Sequence, residues 1–421
     1  MLVEFSVKNF KSLKEKQTLS MEASSDKSLD YNLIDYKDEA DKDYRLLKSS
    51  VLYGANASGK SNVMEALVVL KNLVMKSHEN QKGDELHYEP YKFDPEYREK
   101  PTEFEIVFIE KGVRYNYGLI YDEEKVIEEY LYYYPKGRKS QIFERKNTDE
   151  YKFNKDKKDQ EMIEERTRKN VLYISSSTQF NYEKTSEAFD WFKETLHGIG
   201  PGDHPELTEF TLKSLKKDEQ FRKKVQKALK TADFGISDVK GQIKTVPFDE
   251  IEEMPSEIRP VGEEDGELKM LDIKTIHELE EVEGSLPLFK ESEGTRRFFS
   301  LLGPIISSLK NGEVLLIDEL DTKLHHLLNK FIIELFHDPE ENNNNAQLIF
   351  TTHNTNLLDQ DLFRRDQVWF TERDPKTGST DLYSLVEYSP RKDKDIEKGY
   401  LVGRYGAIPF IGDEKILEDR S

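Results

Sequence analysis

A short apolar run, Ser50-Val51-Leu52-Tyr53, leads directly into Gly54-Ala55-Asn56-Ala57-Ser58-Gly59-Lys60-Ser61. Few folds accommodate that succession. The eight residues satisfy G-x-x-x-x-G-K-[ST]. Val63, Leu67, Leu70, Leu73 and Val74 then recur at helical spacing, so the order is strand, glycine-rich loop, helix to about Lys76. Glycines let the backbone curl until successive N–H groups point at phosphate oxygens. The helix start adds its positive dipole end. Gly54, Ala55, Asn56, Ala57, Ser58, Gly59, Lys60, Ser61 and Asn62 are therefore expected to hold a nucleotide. Lys60 is placed on the β- and γ-phosphates, and the Ser61 hydroxyl on Mg²⁺. The competing explanation is a chance match in a turn of small residues, and the flanking strand and helix argue against it.

Two later segments have the matching shape. Val314 to Ile317 is a continuous apolar run, as in a strand buried on both faces, and it ends in Asp318-Glu319. Carboxylates at that sheet edge lie where ligands bind in open α/β sheets. Asp318 suits Mg²⁺, and Glu319 suits a general base for an attacking water. Leu348 to Thr351 is a second buried run, and it leads through Thr352 to His353. His353 can hydrogen-bond a γ-phosphate or the water. Each of these two motifs has an ordinary structural explanation when taken alone. Behind a phosphate loop they point to hydrolysis of ATP, with Lys60, Glu319 and His353 as the catalytic set.

The rest of the chain divides by texture. Leu2 to Phe10 alternates as a strand does, and Asp26 to Lys48 reads as a loop or edge excursion. Phe104–Ile109, Val113–Ile120, Ile127–Tyr134 and Gln141–Arg145 read as an antiparallel sheet of hairpins, with Val171–Ile174 as a further strand. Asn154 to Lys169 reads as an exposed helix or loop. Thr185 to Thr231 turns helical, Val246 to Gly266 reads as an acidic loop, and two weak strands follow at Met270–Ile276 and Leu286–Phe289. Gly294–Leu309 and His326–Phe336 are helices, and Asn342–Asn345 is a surface loop. The expected fold is α/β, a P-loop nucleotide-binding core with an inserted antiparallel β-subdomain and a helical subdomain. Residues 1–76 and 292–421 form the split nucleotide-binding core, 77–175 the β-rich part, and 176–291 the helical part.

Composition narrows the setting. There is no cysteine, so disulfides and cysteine-based metal sites are excluded. No stretch approaches the roughly 20 apolar residues of a membrane span, and the N-terminus lacks a signal-peptide core. A soluble cytoplasmic protein without membrane contact is expected. The formal net charge of -20 disfavours broad coating of DNA, whose phosphates attract cations, without excluding a local basic groove.

Together the three motifs resemble the ABC-type ATPase heads of the SMC, RecF and OLD group. That resemblance implies a signature sequence opening a helix ahead of the Asp-Glu strand end, and Ser292-Glu293-Gly294-Thr295 matches it. It implies that Ser292 and the Gly294 backbone contact the γ-phosphate bound to the opposite subunit of a head-to-tail dimer or higher homo-oligomer. An ordinary helix N-cap is the alternative for Ser292. Asp321 matches the position that couples two facing sites. The start, Val7 to Leu13, is similar to SMC and RecF openings. Asp318-Glu319-Leu320-Asp321 with Leu324-His325, and Gly403 to Pro409, resemble stand-alone RloA or AbiLi-type ATPases of phage defence. Such ATPases are commonly paired with a separate RloB-type effector.

The departures also inform. A transporter-type signature is missing, the insert is too interrupted for a long coiled coil, and the Q-loop glutamine has no clear position. Asp393 and Asp395 among lysines read as a solvated cluster and not as a nuclease. His325 and His326 are adjacent and make poor joint metal ligands. Tyr130, Tyr132, Tyr133 and Tyr134 read as sheet residues. A nucleic-acid stacking role would need a basic surround, which is not expected. Arg404-Tyr405-Gly406 suits a nucleotide or partner contact and a packing piece equally. Three roles follow in order: a defence switch, a RecF-like DNA-maintenance ATPase, and an assembly scaffold with little turnover.

Overall fold

The structure, a computed structural model, describes residues 1–38, 41–232, 234–246, 262–264, 267–279, 282–388, 390 and 395–409. The chain forms two compact units. The larger holds Leu2–Glu194 and Ile349–Ser421, and the smaller holds Thr195–Leu348.

In the larger unit, β1 (Leu2–Lys8) pairs antiparallel with β2 (Gln17–Ser20). The segment after Asp26, expected as a loop or edge excursion, contains a hairpin, β3 (Leu33–Lys37) and β4 (Asp43–Leu47). Its strands bury only part of one face, so the apolar signal is weak. β5 (Ser49–Tyr53) is buried throughout and feeds the glycine loop and α1 (Lys60–Lys76). β6 (Thr102–Glu110), β7 (Val113–Tyr121), β8 (Val126–Tyr133), β9 (Ser140–Lys146) and β10 (Glu150–Phe153) form a meander. With β1 and β2 it makes a seven-stranded sheet in the order β10-β9-β8-β7-β6-β1-β2. Phe108 of this sheet stacks on Trp191 at 4.3 Å between centroids.

α2 (Lys157–Glu164), α3 (Tyr173–Gln179) and α4 (Glu183–Asp190) follow. The strand expected over Val171–Ile174 is instead the entry to α3. The reason is a distant carboxylate: buried Glu129 accepts from the N–H groups of Tyr173 at 2.5 Å and Ile174 at 3.0 Å. An acceptor at those orphan donors favours a helix start over a β ladder. Burial pushes the Glu129 carboxyl upward, against the pull of the Arg145 guanidinium.

In the smaller unit, β11 (Leu196–Ile199) lies parallel to β16 (Val314–Ile317). Between them in sequence come α5 (Pro205–Lys217), α6 (Glu219–Thr231), β12 (Ile236–Val246), β13 (Gly262–Glu264), β14 (Glu267–Leu279), β15 (Val282–Pro287) and α7 (Glu293–Asn311). The part expected to be helical thus also carries a four-stranded antiparallel sheet centred on β14. Most of the expected acidic loop at Val246–Gly266 lies outside the described residues. α7 buries Phe298, Phe299, Leu302, Ile305, Ile306 and Leu309, the stripe read from the sequence. It packs closely on α5, where a Cβ at Gly303 would collide with Thr211. α8 (His326–His337) follows, with His325 Nδ1 accepting from the Leu327 N–H at 3.3 Å as its cap.

The division between units falls within β17 (Gln347–Thr351). Beyond it, β18 (Val368–Arg373) runs parallel to β5 and antiparallel to β19 (Thr380–Ser384), two strands the sequence reading did not foresee. α9 (Ile396–Leu401) is capped by Asp395, which accepts from the Lys398 N–H at 2.8 Å. Asp393 lies outside the described residues. Tyr405 is buried against Phe370, and its carbonyl accepts from the Tyr383 hydroxyl at 2.8 Å. Among the described residues no helix is long and apolar enough to cross a membrane.

Candidate nucleotide site

The site residues predicted from the sequence fall in two groups, one in each unit. The larger unit holds Gly54 to Asn62 and His353. β5 ends at Tyr53, and the loop turns through left-handed Ala57 (φ 60°) and Gly59 (φ 107°) into α1. The Lys60 side chain is 6% exposed and folds back on the loop. Its ammonium donates to the carbonyls of Gly54 at 2.8 Å and Ala55 at 3.2 Å. Asn56, Ala57 and Ser61 are exposed, so the loop's outer face is open.

A set of hydroxyls supports the loop from beneath. The Asn62 amide donates to Ser12 Oγ at 2.6 Å, and Ser12 and Thr380 hydroxyls lie 2.7 Å apart. Thr380 in turn donates to the Ser58 carbonyl at 2.7 Å. Ser58 Oγ meets Thr371 Oγ1 at 2.6 Å. Asn62, expected to bind nucleotide, thus spends its amide on this relay. The glycines have a second reason to be glycine: a Cβ on Gly59 would run into Thr380, and one on Gly54 into Thr371 and Ser58. Thr371 and Thr380 escaped sequence reasoning because β18 and β19 did, and Ser12 because its partner Thr380 lies on β19.

His353 is exposed just past β17. The Thr352 N–H donates to the Leu52 carbonyl at 3.3 Å, and the Tyr53 hydroxyl to the Asn354 carbonyl at 3.1 Å. These bonds hold the His353 segment beside the strand end that carries the phosphate loop.

The smaller unit holds the other group. The Asp318 N–H donates to the Ile199 carbonyl at 2.9 Å, which buries Asp318 at the end of β16. Glu319 is left-handed (φ 54°), a conformation that a non-glycine residue keeps only where its surroundings enforce it. Its Oε2 accepts from the Thr322 hydroxyl at 3.1 Å. Asp321 is half-buried in the same turn. Ser292 caps α7, accepting from the Thr295 N–H at 3.0 Å. A Cβ on Gly294 would sit 2.9 Å from the Lys323 carbonyl oxygen. Lys323 also pairs with Asp203 at 2.9 Å and Glu293 at 3.5 Å. The start of α7 and the turn after Glu319 are therefore joined within one chain.

Arg297, one turn into α7, was also missed. It is 2% exposed, and its Nη1 donates to the Gly202 carbonyl at 2.8 Å. Its Nε and Nη2 are buried without a hydrogen-bond partner. Burial lowers its pKa, while the charges of Asp203 and Glu319 oppose that shift. Elsewhere, Glu65, His87 and Glu89 bring their ligand atoms within 4.8 Å of one another, but the Lys11 ammonium lies 2.5 Å from Glu65 and 3.2 Å from Glu89.

A glycine-rich loop between a buried strand and a helix, with a lysine on the loop, defines a P-loop α/β ATPase domain. Residues 49–359 match the family described as "AAA domain, putative AbiEii toxin, Type IV TA system", and the chain belongs to that family. Among solved structures it is similar to an SMC head bound to the C-winged helix domain of ScpA, with 14% identity and a TM-score of 0.40 over 91% of this chain and 97% of that one. No curated protein matches.

Proposed function

We propose that this chain binds ATP with Mg²⁺ at Gly54–Asn62, hydrolyses it, and uses the cycle as a switch. The observation that carries the reading is the phosphate loop. Lys60 is held over the loop by two carbonyls that a triphosphate's oxygens can replace, and Asn56, Ala57 and Ser61 of the loop are exposed. Ser61 and Asp318 would hold Mg²⁺, which neutralises charge on the transferring phosphoryl group. Glu319 would take the proton of the attacking water, and His353 would orient that water or the γ-phosphate. Ser292 and Gly294 of a second copy would close the site in a head-to-tail pair, with Ser292 exchanging its Thr295 contact for phosphate, and Asp321 would couple the two sites. Catalysis of this type is positioning plus charge stabilisation.

The family's description concerns a toxin–antitoxin system, which supports a role in anti-phage or growth-arrest defence. There the ATPase would control a separate effector of the RloB type from the cytoplasm. The test is steady-state ATP turnover by the purified chain, with and without duplex DNA. Lys60→Ala should abolish ATP binding. Glu319→Gln should keep binding and lose on the order of 10²–10⁴ in turnover. It should also remove phage resistance from cells carrying the gene with its neighbours. Parent-like turnover in Lys60→Ala would sink the reading, and clear stimulation by DNA would favour a DNA-maintenance role.

A further inference from the structure

Three consecutive tyrosines close β8 and its turn, and each has a cation beside it. Lys139 Nζ lies 3.6 Å from the Tyr132 ring centroid. The Arg114 guanidinium lies 5.0 Å from that of Tyr134. Lys155 Nζ lies 6.0 Å from the Tyr133 ring and donates to its hydroxyl at 3.3 Å. All three rings are half-buried. The turn to β9, Pro135-Lys136-Gly137-Arg138-Lys139, exposes Lys136, Arg138 and Lys139 and contains no acid. Left-handed Gly137 (φ 70°) shapes the turn. Of the acids nearby, Glu144 accepts from the Tyr132 hydroxyl at 3.0 Å and pairs with Lys146 at 3.1 Å, Asp156 pairs with Lys184, and the charge of Glu128 also acts on Tyr132. The basic surround that the sequence reading did not expect is therefore present. Part of it comes from outside the turn, from Arg114 on β7 and Lys155 beyond β10.

The chain's net charge of -20 makes this tip a local exception. A polyanion feels general repulsion here, so the occupant must gain more than Coulomb attraction. A duplex offers phosphates but hides its base faces. An acidic peptide offers carboxylates but few planar rings. A single strand of nucleic acid offers both, and cation-flanked aromatics are the usual platform for it. We propose that the β8–β9 tip docks a single strand of nucleic acid. Lys136, Arg138 and Lys139 take phosphates, and the Tyr132 and Tyr134 rings take bases, with Lys139 exchanging a ring for a phosphate. The surface lies within the larger unit and does not depend on the ATPase reading.

The test uses the full chain without nucleotide and follows fluorescence anisotropy of labelled oligothymidylate, oligouridylate and a duplex of equal length across a salt series. At least one single strand should bind more tightly than the duplex. Neutralising the tip together (Lys136→Gln, Arg138→Gln, Lys139→Gln) touches only exposed side chains. It should weaken binding about tenfold or more and flatten the log–log salt slope by about 2, from ~0.7 per phosphate neutralised. Tyr134→Leu should weaken binding about fivefold or more and leave the slope unchanged. The proposal is overturned if no oligonucleotide binds, if the duplex binds as tightly as both single strands, or if the neutralised tip binds like the parent.

Discussion

Thr380 supports the glycine-rich loop through the Ser58 carbonyl, and its hydroxyl should control that loop. In Thr380→Val the shape is kept and the hydroxyl is lost. The Ser58 carbonyl then loses its 2.7 Å donor, and the Ser12 hydroxyl its 2.7 Å neighbour. Ser58 is 2% exposed and Thr380 1%, so water does not readily replace either bond. Two hydrogen bonds at ~1 kcal/mol each, with a buried acceptor left unpaired, predict a loss of about 2 kcal/mol. If about 1 kcal/mol of that loosens the loop before nucleotide arrives, ATP binding weakens about fivefold. Urea unfolding and titration with a fluorescent ATP analogue measure the two parts. Thr380→Ser keeps the hydroxyl and should restore most of both. The reasoning is refuted if Thr380→Val matches the parent in affinity and stability.

Other consequences are as direct. Gly59→Ala adds a Cβ where φ is 107° and Thr380 already fills the space, so ATP binding should be lost in the same titration. Gly294→Ala presses on the Lys323 carbonyl at 2.9 Å, so turnover should fall several-fold while ATP affinity of the isolated chain is unchanged. Asp26 is pushed up by burial, but the Ser28 N–H and the Arg365 guanidinium outweigh this and hold its carboxyl at about 2. A folded-state value below the unfolded one stabilises at neutral pH, and that contribution is lost as pH falls through about 2. The stability gap between the parent and Asp26→Asn, measured by urea titration, should therefore be full above pH ~4 and shrink below it.

Legibility in the sequence followed locality. Lys60, Ser61 and the glycines could be read because the motif's chemistry is set by neighbours along the chain. β16 and β17 could be read because buried strands are continuous apolar runs. α3 was misread because the group that starts it, Glu129, is far away in sequence. β11 went unseen because it has only four residues and a glycine. The tyrosine tip was discounted although Lys136, Arg138 and Lys139 follow it directly in sequence; only Arg114 and Lys155 reach it through the folding of the meander.

What the sequence determined by itself is the loop proposed to meet phosphate: glycines where the backbone must curl, a lysine and a serine at the helix start, and acids at a strand end. Tertiary structure decided what holds that loop in place and what Gly294 accommodates. Ser12, Thr371 and Thr380 reach the loop from the two ends of the chain, and Lys323 reaches Gly294 from beyond Glu319. Contacts of that range depend on strand pairing and close packing, which no local pattern of side chains encodes.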